Sequence, residues 1–198
     1  QVLPDTDTDE SLLERARAGD EDAFLSIYTR HRVAMYRFAC RLLGDATAAE
    51  DVTHDCFLSL FKHPERFDAT RGASLRTYLF AAVRNLSLKQ FRRTAQETLI
   101  DEAAGEQSAP AAEQPLSRML EAELSAAVRA AVEHLPALQR EVLILFEFEN
   151  LSLQEIALVV GAEVNTVKSR LARGRAGLRR ALAPHLERHS ELAAVSEK

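Results

Sequence analysis

The chain has 198 residues, 46% hydrophobic and 28% charged, enough to bury one large core or two small ones. Lys plus Arg number 25 against 30 for Asp plus Glu, a formal net charge of -5, and that average alone argues against a nucleic-acid partner. The distribution argues the other way, because screening limits an exposed charge to neighbours within about 10 Å. Residues 5 to 22 carry eight acidic and two basic side chains, and residues 94 to 117 carry five acidic and none basic. Residues 62 to 93 carry eight basic against two acidic, and from Val164 to Leu182 there are six basic and no acidic ones. Two cysteines, Cys40 and Cys56, are too few for a disulfide framework and suit a reducing compartment. No run of about 18 apolar residues is present to cross a bilayer. The acidic start QVLPDTDTDE is unlike a secretion signal, so a soluble, cytoplasmic protein is expected.

Apolar positions recur at helical spacing almost throughout, and no useful length alternates with period two. The expected fold is all-α, with two small helical domains joined by a flexible acidic linker and a helix-turn-helix in the second. Phe24, Ile27, Tyr28, His31, Met35, Phe38 and Leu42 line one side of a long helix that stops near Gly44. TAAE at 47 to 50 reads as a capping box, with Thr47 closing onto the amide near Glu50 and opening a helix from Thr47 to Phe61. After the loop HPERFDATRGAS, Leu75, Leu79, Ala82, Val83 and Leu86 mark another helix, which ends at Phe91, Arg92 and Arg93.

Periodicity fades from Thr94 to Ser117, where AAGEQSAPAAEQP has the composition of a linker. It resumes at Leu120, Leu124, Val128, Ala131 and Leu135, then from Pro136, read as a first helical residue, through Val142, Leu145 and Phe146. SLQE at 152 to 155 is a second capping box, opening a short helix from Leu153 to Val160 that Gly161 terminates. The domains are therefore placed at 10–93 and 118–183, with the linker at 94–117 and a tail at 184–198.

A short helix, a glycine turn and a longer basic helix form the pattern of a helix-turn-helix, with small Ala157 allowing close approach and Ile156, Val160 and Val167 in contact. Lys168, Arg170, Arg173 and Arg175 cannot all face a core, which leaves several for a DNA groove or its phosphates; Arg170 and Arg175 suit backbone anchoring. Upstream, Arg66, Arg71, Arg76, Arg84, Lys89, Arg92 and Arg93 interleave with Phe67, Tyr78, Phe80 and Phe91. Cations beside aromatic faces suit single-stranded DNA, although aromatics at helical spacing are more often core. The helix between 47 and 61 places Val52, Cys56 and Leu60 on one arc and Glu50, Asp51, His54, Asp55 and Leu58 on the other. An acidic face around a leucine is foreign to a DNA binder, and without a partner it reads as a solvated surface.

LPALQREVLILFEFENLSLQEIALVVGAEVNTVKSRLARGRAGLRRAL resembles the C-terminal promoter-binding domain of the extracytoplasmic-function (ECF) subfamily of sigma-70 factors of RNA polymerase. DAFLSIYTRHRVAMYRFACRLLGDATAAEDVTHDCFLSLF and LRTYLFAAVRNLSLKQFRR resemble the other domain of that family, in order and spacing. The resemblance covers about residues 20 to 93 and 118 to 183. It implies sigma region 2 at 10–93, binding core polymerase and the minus ten element, and sigma region 4 at 118–183, binding the minus thirty-five element. Lys168, Ser169 and Arg173 fall at the positions that reach DNA, and Glu50, Asp51, His54, Asp55 and Leu58 on the helix that docks on the polymerase clamp. The loop spanning 66 to 77 corresponds to the one that captures a flipped minus ten base. Asn85 matches a family Asn, whereas Tyr78 stands where Trp is usual, Lys89 where Asp is frequent and His54 where Gln is common. An inhibitory anti-sigma partner is expected by the same resemblance, and the linker is expected to run toward the polymerase active site.

No cofactor, metal site or catalytic set is legible: RGRAG follows no strand, and His185 with His189 lacks further ligands. The expectation is a transcription initiation factor and not an enzyme. The alternatives are a stand-alone helix-turn-helix regulator, for which Lys168 and Arg173 suffice, and a helical protein-binding adaptor.

Overall fold

A computed structural model describes residues 7–68, 70, 72–98 and 116–196, with side chains over 7–68, 70, 72–93 and 123–185. The described residues form eight α-helices and no strand: α1 Asp9–Arg17, α2 Glu21–Leu43, α3 Ala46–Lys62, α4 Leu75–Thr98, α5 Leu116–Glu133, α6 Ala137–Glu147, α7 Leu153–Val160 and α8 Val164–Ser196. A 3-10 turn, Pro64–Arg66, follows α3.

Helix α1 lies in the acidic N-terminal stretch. The Thr8 hydroxyl accepts from the Ser11 amide, Asp9 and Glu10 stand at the positive end of the helix dipole, and Leu12 and Leu13 are buried. Asp9 fastens it to α2 through Arg30 and His31, the latter at 2.8 Å. The His31 hydrogen bond holds the Asp9 carboxyl below its usual range against the opposing effect of burial. From the last turn of α1, the Arg17 guanidinium donates to the carbonyls of Pro64 and Phe67, each at 2.7 Å, and so fixes the loop that carries Arg66.

The start of α3 corrects the sequence reading. Asp45, not Thr47, is its N-cap: the Asp45 carboxylate accepts from the Ala48 amide at 2.9 Å, and Thr47 is an exposed residue of the first turn. Asp and Thr two residues apart offer equivalent acceptors, and Gly44, ending α2 with φ 72, brings Asp45 to the capping position first. Pro136 likewise occupies the N-cap of α6 and not its first turn. Helix α4 runs on to Thr98, α5 begins at Leu116, and α8 continues through Pro184 to Ser196.

Phe38 of α2 and Phe80 of α4 meet edge to face at 5.2 Å in the centre of the first half, both fully buried. In the second half, Val142, Leu143, Ile144 and Leu145 of α6 are buried against α8. Gly174 and Gly177 permit that contact. A Cβ on Gly174 would stand 3.3 Å from Leu143 Cδ1 and 3.4 Å from the Gln139 carbonyl, and one on Gly177 would stand 2.7 Å from Leu135 Cδ2. The helix propensity they forfeit, about 1 kcal/mol each, is exchanged for close packing of α8.

The two halves are packed together: α4 lies against α7 and α2 against α6, and the buried residues of both form one continuous core. The sequence pattern of two small helical domains and a linker does not announce this contact.

Candidate functional site

The turn between α7 and α8 is built locally. The Ser152 side chain accepts from the Glu155 amide and the Glu155 carboxylate from the Ser152 amide, a complete capping box at the start of α7. The bond from the Ser152 amide is the main reason that the Glu155 carboxyl lies below its usual range. Gly161 closes α7 at φ 63, which a side chain would strain, and Ile156, Val160 and Val167 bury the junction. Helix α8 leaves this turn with Lys168, Ser169 and Arg173 exposed. The Ser169 hydroxyl donates to the Thr166 carbonyl at 2.9 Å, which leaves its oxygen able to accept. Arg170 is half-buried, 3.8 Å from Glu141, while Arg175 pairs with Glu147 at 2.7 Å over the Phe146 ring.

On α3 the apolar arc of Val52, Cys56 and Leu60 is buried, together with Ala49, Thr53 and Phe57. Burial pushes the Cys56 thiol up to about 12, so it is a packing group and not a nucleophile. The opposite arc holds Glu50, Asp51, His54 and Asp55 exposed, with Leu58 half-buried at its edge. Asp51, Asp55 and Leu58 recur at intervals of four and three, which aligns them on one helical face.

The basic aromatic segment divides. Phe67 and Phe80 belong to the core, whereas Phe91 is exposed. Tyr78 is half-buried edge to face with Phe67 at 5.5 Å, and burial lifts its phenol above the ordinary value. Asn85, Lys89 and Arg92 are exposed along α4 at intervals of four and three, one continuous face, and Arg66 is exposed in the 3-10 turn. Arg71 and the linker stretch 99–115 lie outside the described residues, as does the His189 side chain. Among the described residues, no three His, Cys, Asp or Glu side chains gather as a metal would require.

Sequence reasoning missed the polar seam between the halves. Arg84 of α4 holds Glu141 of α6 with Nε at 2.7 Å and Nη2 at 3.2 Å, a two-pronged pair in which Glu141 is 4% exposed. Arg41 of α2 stands 3.1 Å from the Glu149 carboxylate, and Arg76 Nη2 donates to the Glu149 carbonyl at 2.6 Å. Glu149 is 6% exposed, and its burial raises the carboxyl pKa against the opposing pull of Arg41, Arg76 and Arg37. Arg41 also lies over the Phe148 ring at 4.5 Å, and Arg76 over Phe80 at 5.0 Å. Arg37 and Arg41 line a groove of about 650 Å³ that Tyr36, Val128 and Phe148 complete. These partners lie 57 to 108 residues apart, so no local pattern announces them.

The sigma-70 region 2 family model matches residues 27–97 and the sigma-70 region 4 model matches residues 125–178. The ECF RNA polymerase sigma factor SigW of Bacillus subtilis is 30% identical over 86% of this chain and 94% of its own. The chain is an ECF sigma factor. Its fold agrees with that of solved relatives. The sigma factor RpoE of Bartonella quintana, solved with the anti-sigma factor NepR, aligns at a TM-score of 0.66 and 26% identity over 81% of this chain and 96% of that one. CnrH, solved with the cytosolic domain of CnrY, aligns at 0.66 and 27% over 90% and 99%. As a sigma factor, the chain acts in transcription initiation with core RNA polymerase and promoter DNA, which sets aside the stand-alone regulator and the adaptor. The same fold places its helix-turn-helix against the half that contains the acidic ridge.

Proposed function

We propose that the sigma factor divides initiation among three surfaces. The α3 ridge of Glu50, Asp51, His54, Asp55 and Leu58 grips the polymerase clamp, its negative charge complementing basic clamp side chains. The 10–93 unit meets the minus ten element through Arg66, Arg71, Arg76, Tyr78, Asn85, Lys89 and Arg92, where binding of an extruded base offsets an unpairing cost of a few kcal/mol. In the 118–183 unit, Lys168, Ser169 and Arg173 read the minus thirty-five element, with Arg170 and Arg175 on its backbone. The observation that carries this reading is the exposure of two opposite charges on separate helices, an acidic face on α3 and a basic one on α8. The chain needs no catalytic residue of its own and works in the cytoplasm, where polymerase is. RpoE was solved with the anti-sigma factor NepR, which supports an anti-sigma partner here too. A tagged chain recovered from its native cell should bring down such an inhibitor, and its absence under non-inducing growth would refute that part.

The test of the α8 assignment is binding of promoter duplex by the reconstituted holoenzyme. Lys168→Ala and Arg173→Ala should each weaken it by about 1–3 kcal/mol. If the removed cation had neutralised a phosphate, the slope of log affinity against log salt falls by about 0.9; if it had paired with a base edge, the slope stays and sequence preference relaxes. Unchanged affinity, slope and preference in both variants would remove α8 from the interface.

A further inference from the structure

Helix α1 precedes residue 27, where the region 2 family match begins, and contributes no residue to the three surfaces of the initiation reading. It is nevertheless fastened at both ends. Leu12 and Leu13 are buried, and Asp9 ties its first turn to Arg30 and His31 of α2. Its last residue is Arg17, a cation at the negative end of the helix dipole. Arg17 Nη2 donates to the Pro64 and Phe67 carbonyls, each at 2.7 Å, and its Nε reaches the Pro64 carbonyl at 3.3 Å. These acceptors lie 47 and 50 residues downstream, at the first residue and the C-cap of the 3-10 turn. The Arg17 side chain is otherwise exposed, so its contribution lies in these bonds and not in packing.

The clasped segment is the one from which minus ten contacts project. Arg66, exposed, lies between the two held carbonyls. Phe67, whose carbonyl is held, is buried and meets Tyr78 edge to face at 5.5 Å. Just beyond it, the Asp68 carboxylate accepts from the Thr70 amide at 3.0 Å and from its hydroxyl at 2.6 Å, so the next turn starts from a fixed point. A pocket for an extruded base is most effective when it exists before the base arrives. Every residue that must be ordered on arrival subtracts from the binding that offsets unpairing. A guanidinium supplies this order because its donors form a rigid planar fork, which the flexible ammonium of a lysine lacks.

Resting on the reading in which the 10–93 unit meets the minus ten element, we propose that Arg17 is a positioning residue for promoter opening. By clasping the Pro64 and Phe67 carbonyls it sets in advance the shape of the loop between α3 and α4 that receives an extruded minus ten base. Helix α1 thereby acts on melting through the loop and not by contact with DNA.

The test uses reconstituted holoenzyme and a labelled single strand carrying the minus ten element of a promoter from the native cell. Binding is followed by fluorescence anisotropy, with an abasic residue placed at each position of the element in turn. With the wild-type chain, the abasic residue at the captured position should lower affinity about tenfold. Arg17→Ala should lower affinity for the intact strand about tenfold and abolish the further loss at that position, because the two changes remove the same interaction. The salt slope should stay as it is, since no phosphate contact is removed. Arg17→Lys should behave like Arg17→Ala. Arg15→Ala, which frees Asp7 and Asp20 near the same helix and leaves the loop bonds in place, should match wild type.

An abasic penalty that survives in Arg17→Ala overturns the proposal, as does an Arg17→Lys chain that binds like wild type or an equal defect in Arg15→Ala. A salt slope shallower by about 0.7, with equal loss at every position, would make Arg17 a phosphate contact and overturn it too. If Arg17→Ala does not fold, Arg17→Lys decides by the same comparison. A wild-type chain with no position-specific penalty overturns the reading of the loop and the proposal with it, whereas a wild-type penalty that Arg17 leaves unchanged overturns the positioning role alone.

Discussion

Replacing Asp51 and Asp55 by Asn together with Leu58 by Ala is expected to leave the fold intact and to lower affinity for core polymerase on the order of 100-fold. The three side chains share one face of α3, and the buried arc that holds the helix in place contains none of them. Exposed substitutions such as those at Asp51 and Asp55 usually change stability by less than about 0.5 kcal/mol, and Leu58 is half-buried outside the packed arc, whereas truncating an interface leucine and removing two charges from opposing basic groups each cost binding about 1–2 kcal/mol or more. Labelled chain titrated with core enzyme gives the affinity, and thermal unfolding checks the fold. Affinity within twofold of wild type, with an unchanged melting curve, would show that polymerase docks elsewhere.

The largest effect on stability is expected from Phe80→Ala. The ring is fully buried, stacked edge to face with Phe38 and covered by the Arg76 guanidinium. Deleting a buried phenylalanine costs about 3–5 kcal/mol, and the aromatic pair contributes about 0.5–1.5 kcal/mol of such a loss beyond area alone. Against a typical total of about 5–15 kcal/mol, that removes a large share of the margin. Urea unfolding followed by circular dichroism should show it directly. A loss below about 1 kcal/mol would mean that α2 and α4 are not held together through this pair.

What is legible in the sequence is chiefly what is decided within a few residues. The Ser152 and Glu155 box, the left-handed Gly161 and the buried Ile156, Val160 and Val167 can be read because each is a local pattern with a single reading. Helix α1 escapes the sequence reading although Thr8 before Asp9 and Glu10, followed by Leu12, Leu13 and Ala16, carries a cap, a dipole pattern and an apolar face; the acidic run conceals them. The Asp45 cap is misplaced because Thr47 satisfies the same rule. On helix propensity alone Gly174 and Gly177 would only weaken the basic helix, and the tertiary neighbours Leu143 and Leu135 are what give them a use. The Arg84 to Glu141 and Arg41 to Glu149 pairs are beyond reach, because charges on opposite halves become partners only after both halves fold and meet.

The central claim is that this chain confers promoter recognition on core polymerase, and run-off transcription tests it most directly. On a promoter-bearing fragment from its own cell, core enzyme and chain together should yield one discrete transcript, with none from either alone. Transcript of equal amount and start site from core enzyme without the chain, or none from the combination on any fragment the chain occupies in the cell, would contradict it.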